Sequence, residues 1–296
     1  ASLRSGWLGT GPKVAHFEDE FKAYKGAEHA VAVSSCTAAL HLSMLAAGIR
    51  PGDEVITTAM TFCATVNAII HAGATPVLVD VDPVTMNMDP GQIESKMTPR
   101  TRAILPVHFA GRPCEMDSIC EIARRRGLKI IEDCAHAIET EYQGHKAGTF
   151  GDFGCFSFYV TKSVVTGEGG MVIARDEEDA ARIKVLSLHG MSKDAWKRFR
   201  DEGYKHYYVT DAGFKYNMTD LQAAIGVHQL KRVERSWRRR GEIWKRYTSA
   251  LGDLPIGLPA DAGPDSRHAY HLYTILIDEA KARVSRDAFC DAMTRH

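Results

Sequence analysis

The sequence predicts an α/β protein built on a largely parallel sheet, with a second, smaller lobe toward its C-terminal end. Three observations carry this. At 296 residues the chain is long for one compact domain and comfortable for two. Between residues 30 and 173, short β-branched runs alternate with helix-length segments, the order that a parallel sheet with crossover helices requires. Beyond Ala174 that alternation stops and the pattern turns helical and charged.

Taken in order, the β-branched runs place strands at 30–33, 54–57, 75–80, 102–107, 128–132, 153–158 and 171–174. Between them, apolar Ala38, Leu42, Leu45 and Ala46 mark one face of a helix over 37–47, and further helices are expected over 64–71 and 116–126. Arg50-Pro51-Gly52-Asp53 is a turn. A helix over 177–188 follows, then a charged and aromatic stretch, 190–208, without a clear period. Thr219 caps what reads as one long helix over 219–247, which carries Arg238-Arg239-Arg240; interleaving with Glu234 and Glu242 marks that run as a solvated face. A loop at 261–264, a strand over 271–277 and a helix from Ser285 complete the chain. The expected division is a large domain, 1–225, and a small α/β C-terminal domain, 226–296. The last helix meets no Gly or Pro stop, so the small domain is expected to be incomplete.

Composition narrows the function classes. With 45% hydrophobic and 25% charged residues, the chain matches a globular protein and not a disordered or fibrous one. Lys+Arg and Asp+Glu are both 37, so no global charge draws it to nucleic acid or to an anionic membrane. Seven cysteines, without a C-x-x-C pair, point to a reducing cytoplasmic compartment and to no structural zinc. No stretch approaches the roughly 20 apolar residues that a membrane span needs.

Three segments could carry chemistry. Val33-Ser34-Ser35-Cys36-Thr37-Ala38 is a strand running into a helix through small hydroxylated residues; its free amides could hold a phosphate, or the serine could simply cap the helix. Ile131-Glu132-Asp133-Cys134-Ala135-His136 ends a buried strand in two acids. Asp133 there could pair with a protonated ring nitrogen, the set Glu132, Asp133, His136 and Glu139 could hold a metal, or the Asp could cap beside a packed His. Phe156-Ser157-Phe158-Tyr159-Val160-Thr161-Lys162 delivers a lysine past the end of an aromatic strand, before Gly167-Glu168-Gly169-Gly170. Apolar surroundings lower a lysine's pKa and suit it to Schiff-base chemistry; an ordinary exposed loop lysine is the alternative. Asp152-Phe153-Gly154 spells a kinase triplet but lacks its companion motifs, and no G-x-S-x-G elbow supports a serine hydrolase.

These motifs, in order from Ser5-Gly6-Trp7 and Gly11-Pro12 through Ser34–Leu40, Glu132–Ala137, Phe156–Gly170 and Gly213–Gly226 to His271-Leu272-Tyr273, resemble the DegT/DnrJ/EryC1/StrS sugar aminotransferases. The resemblance implies the three-layer, mostly parallel sheet of the pyridoxal-phosphate-dependent transferases. It implies pyridoxal 5′-phosphate as cofactor, with Lys162 as the Schiff-base lysine, Asp133 on the pyridine nitrogen, Phe62 stacked on the ring and His136 near the phenolic oxygen. Phosphate would be held by Cys36, Thr37, Ala38 and Ser157, and by Asn217 reaching into the neighbouring subunit of a homodimer with shared active sites.

By the same resemblance, a ping-pong reaction would move an amino group from an amino acid, glutamate by family habit, to a nucleotide-linked ketosugar. Gly213–Asp220 resembles the group acting on 4-keto sugars. Dehydratases of the family carry His at the lysine position, so Lys162 favours amino transfer over dehydration. A silent cofactor-binding regulator and a metal-dependent hydrolase are the other readings. His189 matches a recurrent family feature without a physical role, and family members extend further at both ends, so the chain is expected to be part of a longer enzyme.

Overall fold

The structure, a computed structural model, describes residues 2–192 and 208–295. Most of the 190–208 stretch, for which no period was legible, therefore lies outside the described residues.

In chain order, strands β1 (His29–Val33), β2 (Glu54–Thr58), β3 (Thr75–Val79), β4 (Thr101–Ile104) and β5 (Lys129–Asp133) precede a short hairpin, β6 (Glu141–Tyr142) and β7 (His145–Lys146). Strands β8 (Phe153–Ser157) and β9 (Gly170–Ala174) then complete a seven-stranded sheet of order β1-β9-β8-β5-β4-β2-β3. Neighbours from β3 to β8 are parallel; only β9 runs against the rest.

Alternation along the strands builds the layers. Val31, Val33, Phe153, Cys155 and Val172 face one core, beneath helices Cys36–Ala46 and Glu177–Ser187. Ala30, Ala32, Phe156, Met171 and Ile173 face the other, against helices Pro12–Lys25 and Asp220–Leu230. Helix Cys36–Ala46 is buried on almost every side, so its largely apolar composition, broken only by Thr37, His41 and Ser43, fits its place between sheet and outer helices.

The expected long helix over 219–247 is two helices, Asp220–Leu230 and Val233–Leu251. Thr219 does cap the first, in a reciprocal box with Gln222. That helix spans the expected division at 225/226 and buries Ala223, Val227 and Leu230; Gly226 lies so close to Phe17 that a Cβ would stand 2.6 Å from its ring. The second helix instead buries Trp244 against Tyr270 and Tyr273. The helix breaks where its packing partner changes, at Lys231-Arg232, without a glycine or proline to announce it.

The expected strand over 271–277 is also corrected. Only β12 (Leu276–Ile277) pairs, with β10 (Ile256–Gly257), while β11 (Ser266–Arg267) joins β6 and β7. Residues 268–272 instead lace onto the turn Phe109–Gly111: the Ala269 amide donates to Gly111 O at 2.9 Å and the His271 amide to Ala110 O at 3.1 Å. No described helix is long and apolar enough to cross a membrane.

Candidate active site

Gly170 sets the register of the site. It pairs with Val33 of β1 on one side and Ser157 of β8 on the other, so both strands end along one edge of the sheet. Asp133 ends β5 opposite Cys155, on the same edge. Open α/β sheets bind ligands at such carboxyl ends.

From Val33 the chain turns through Ser34 and Ser35 into helix Cys36–Ala46. A Cβ on Gly170 would stand 2.5 Å from the Ser35 carbonyl carbon and 2.7 Å from the Cys36 nitrogen, so glycine is what admits the helix start. Ser35 Oγ accepts the Ala38 amide at 3.1 Å. The Cys36 and Thr37 amides have no partner one turn back, and the positive end of the helix favours an anion there. Burial pushes the Cys36 thiol well up, so its backbone amide is what it offers such a ligand. Ser157 Oγ lies at the adjoining strand end, accepting the Tyr159 amide at 3.4 Å.

Asp133 is buried, and burial holds its carboxyl above the usual range. Opposing that, Oδ2 accepts from Thr65 Oγ1 at 2.7 Å and Oδ1 from the Ala135 amide at 3.0 Å, and the Lys162 and His108 charges act the same way. A carboxylate so held is suited to a cationic ring nitrogen. Lys162 follows β8 by five residues, its amide donating to Tyr159 O at 2.9 Å. Burial lowers its ammonium pKa, with Cys36 and Asp133 acting against that shift. Cys36, Asp133 and Lys162, more than a hundred residues apart at the extremes, thus share one electrostatic neighbourhood.

Phe62 occupies the N-cap position of helix Cys63–His71 and is 74% exposed, a large apolar side chain open to a ligand. His136 is half-buried; its Nδ1 accepts the Ala110 amide at 3.2 Å, which places the proton of the neutral ring on Nε2. Burial, His271 and Lys162 together lower its pKa to about 3. Asn217 bridges Val33 through the backbone and donates from Nδ2 to Thr10 Oγ1 at 2.7 Å. His189 is exposed with a left-handed φ of 56°, its amide bonded to Phe214 O.

The four-residue metal set does not converge. Glu132 points to the other face of β5, where it accepts from the amides of Gly148, Phe150 and Gly151 and pairs with buried His108 at 2.9 Å. Glu139 is bound by Arg240. His108, Glu132 and Cys134 do cluster within 4.8 Å, but His108 spends Nε2 on Glu132 and Nδ1 on the Cys114 amide.

Two site residues escaped the sequence reading. Thr65 is an ordinary helix residue whose only signal is its spacing of four from Thr61, to which it is hydrogen-bonded at 2.6 Å. His271, met in sequence only as part of a motif, stacks on His136 with ring centroids 4.4 Å apart.

Comparison with known proteins identifies the family. The model of the DegT/DnrJ/EryC1/StrS aminotransferase family matches residues 1–296. The spore coat polysaccharide biosynthesis protein SpsC of Bacillus subtilis is 52% identical over 292 residues, covering 99% of this chain and 75% of SpsC. The solved aminotransferase TlmJ of Streptoalloteichus hindustanus superposes with a TM-score of 0.91 at 36% identity, over 99% of this chain and 77% of TlmJ. DesI, solved in the presence of its TDP-sugar product, gives 0.87 at 35% identity, over 99% and 71% of the two chains. Further neighbours were solved in forms holding pyridoxal phosphate or pyridoxamine phosphate. The chain belongs to the DegT/DnrJ/EryC1/StrS aminotransferase family, whose cofactor is pyridoxal 5′-phosphate.

Proposed function

We propose that this aminotransferase moves an amino group from glutamate to a nucleotide-linked ketosugar, with the keto group at the sugar's 4-position. The observation that carries the reading is the joining, at one sheet edge, of a lysine with a lowered pKa, a buried carboxylate and a helix start with free amides. The nucleotide sugar is supported by DesI and its TDP-sugar product, and a role in cell-surface polysaccharide by SpsC.

The residues present fit the cofactor. Lys162 would hold it covalently, Asp133 its ring nitrogen, Phe62 a ring face and His136, through Nε2–H, the phenolic oxygen. The amides of Cys36, Thr37 and Ala38, with Ser157 Oγ, would hold the phosphate, joined by Asn217 of a second copy in a homodimer. When bound, the cofactor supplies an electron sink that makes a proton on the substrate carbon removable. Once the substrate's own amine has displaced it, Lys162 Nζ, whose charged form is disfavoured by burial, would take that proton and return it. Donor and acceptor use the site in turn.

As a division of the chain, we infer a large cofactor-binding domain followed, beyond helix Asp220–Leu230, by a small domain, the enzyme as a whole working in the cytoplasm. A glutamate-dependent assay over a panel of nucleotide ketosugars, read by product mass, tests the function. Amination that disappears in Lys162→Ala supports it. Reconstituted protein that aminates no ketosugar, or a Lys162→Ala variant that still does, overturns it.

A further inference from the structure

His271 reaches the site from far along the chain, and its place is determined several times over. The amides of Ala269, His271 and Leu272 donate to Gly111 O, Ala110 O and Ala110 O at 2.9, 3.1 and 3.4 Å. Ala110 also donates its own N–H to Nδ1 of His136, so the two peptide groups flanking this one residue hold both histidines. Ala110 and Tyr270 both adopt left-handed φ, 55° and 54°, which a residue with a side chain keeps only where its surroundings impose it. Gly111 lies between them, and a Cβ there would meet Ala269 Cβ at 2.7 Å and His136 O at 2.9 Å. The result is a near-parallel stack, 29° between planes, with the Phe109 ring edge-on to His136 at 6.3 Å.

We propose that His271 is a positioning residue for His136: the stack holds the imidazole in the plane in which its Nδ1 meets the Ala110 amide, and so keeps it in one tautomer with its Nε2–H directed as a fixed donor. The charges around the pair act in the same sense. Lys162 opposes a proton on either ring, Arg240 of helix Val233–Leu251 opposes one on His271, and His271 opposes one on His136. His136 therefore works as a neutral hydrogen-bond donor and does not shuttle a proton to the cofactor. The consequence for catalysis rests on the reading of His136 as a cofactor neighbour; the stack and the tautomer do not.

Nitrogen-15 NMR of the histidines in the whole chain, with no cofactor added, tests this. In the wild type His136 should show the Nε2–H tautomer and no titration between about pH 8 and 5. His271→Ala should give mixed tautomers and raise the proton affinity of His136 about tenfold or more, an apparent pKa rise of about one unit. His271→Phe, which keeps a flat uncharged ring, should restore the wild-type signature. A wild-type His136 protonated on Nδ1, an unchanged His136 in folded His271→Ala, or a His271→Phe variant that fails to restore the tautomer would each overturn the proposal. If His271→Ala does not fold, the wild-type and His271→Phe spectra decide. Failure of the cofactor reading would show separately, as protein that gains no visible absorbance with pyridoxal phosphate.

Discussion

Thr65 donates its hydroxyl proton to Oδ2 of Asp133 at 2.7 Å, and its oxygen, its own proton committed, accepts from Thr61 at 2.6 Å. The carboxylate at the sheet edge is thus held by a relay that begins at the residue before Phe62. Hydrogen bonds to a charged group contribute about 1.5–3 kcal/mol. Thr65→Val removes this one at nearly constant shape, and Asp133, already pushed up by burial, becomes harder to ionise. Cofactor affinity should fall roughly 10- to 100-fold, with Thr65→Ser recovering most of it. Titration with pyridoxal phosphate followed by visible absorbance measures the loss; an unchanged affinity in Thr65→Val would show that the relay does not support the ring-nitrogen site.

What the sequence made legible follows from the range of the forces involved. The seven strands of the main sheet were readable because a β-branched run is a local signal, whereas the two-residue strands β6 and β7 were too short to give one; Thr219 was readable as a cap because its partner Gln222 is three residues away. Lys162 and Asp133 stood out through motif resemblance; the physics of each segment alone left a loop lysine and a capping acid open. The stack of His271 on His136 joins residues 135 positions apart through a lacing that no period announces. The break between Leu230 and Val233 was equally silent, since a change of packing partner leaves no mark when Lys and Arg occupy the turn.

Gly170 carries no unusual φ, so its requirement is purely one of space. In Gly170→Ala the new methyl group meets backbone atoms of Ser35 and Cys36 inside normal contact, and the helix start must shift. Overpacking of this kind costs about 1–3 kcal/mol. Denaturant unfolding should register that loss, and the cofactor should bind more weakly still, because the displaced amides are those proposed to hold its phosphate. A variant that loses stability while keeping wild-type affinity would place the phosphate elsewhere.

Helix Pro12–Lys25 has Gly11 at its cap position and no side-chain cap of its own. Asp220, buried on the opposite helix, supplies one: Oδ1 accepts the amides of Gly11 and Val14 at 2.8 and 3.0 Å, and Oδ2 that of Lys13 at 3.1 Å. Asp220→Ala strands three donors and removes a negative charge from the positive end of the helix. A loss of about 2–4 kcal/mol follows from charge-assisted bonds of this type. Asp220→Asn, which keeps one acceptor oxygen, should lose less. Equal losses in the two variants would mean that packing, and not capping, sets the requirement.

Three histidines make the fold acid-sensitive. Burial and neighbouring cations bring the pKa of His136 and His268 down to about 3 and that of His271 to about 4. Each therefore binds fewer protons folded than unfolded, and unfolding takes protons up. Their contribution is fully present above the unfolded value, about 6.5, and is lost as pH falls from there toward the folded values. Burial acts oppositely on Glu18, Glu139 and Asp133, whose raised pKa values favour the protonated fold, so the absolute curve is a balance of the two groups. A slope difference isolates one member. His268, whose Nδ1 accepts the Tyr270 amide at 2.7 Å, stacks on Tyr270 outside the proposed cofactor contacts. Unfolding free energies of wild type and His268→Gln, measured at steps between about pH 6.5 and 4, should diverge by up to ~1.4 kcal/mol per pH unit, the wild type falling faster as pH drops. Parallel curves would mean that His268 takes its proton as readily in the folded chain as in the unfolded one.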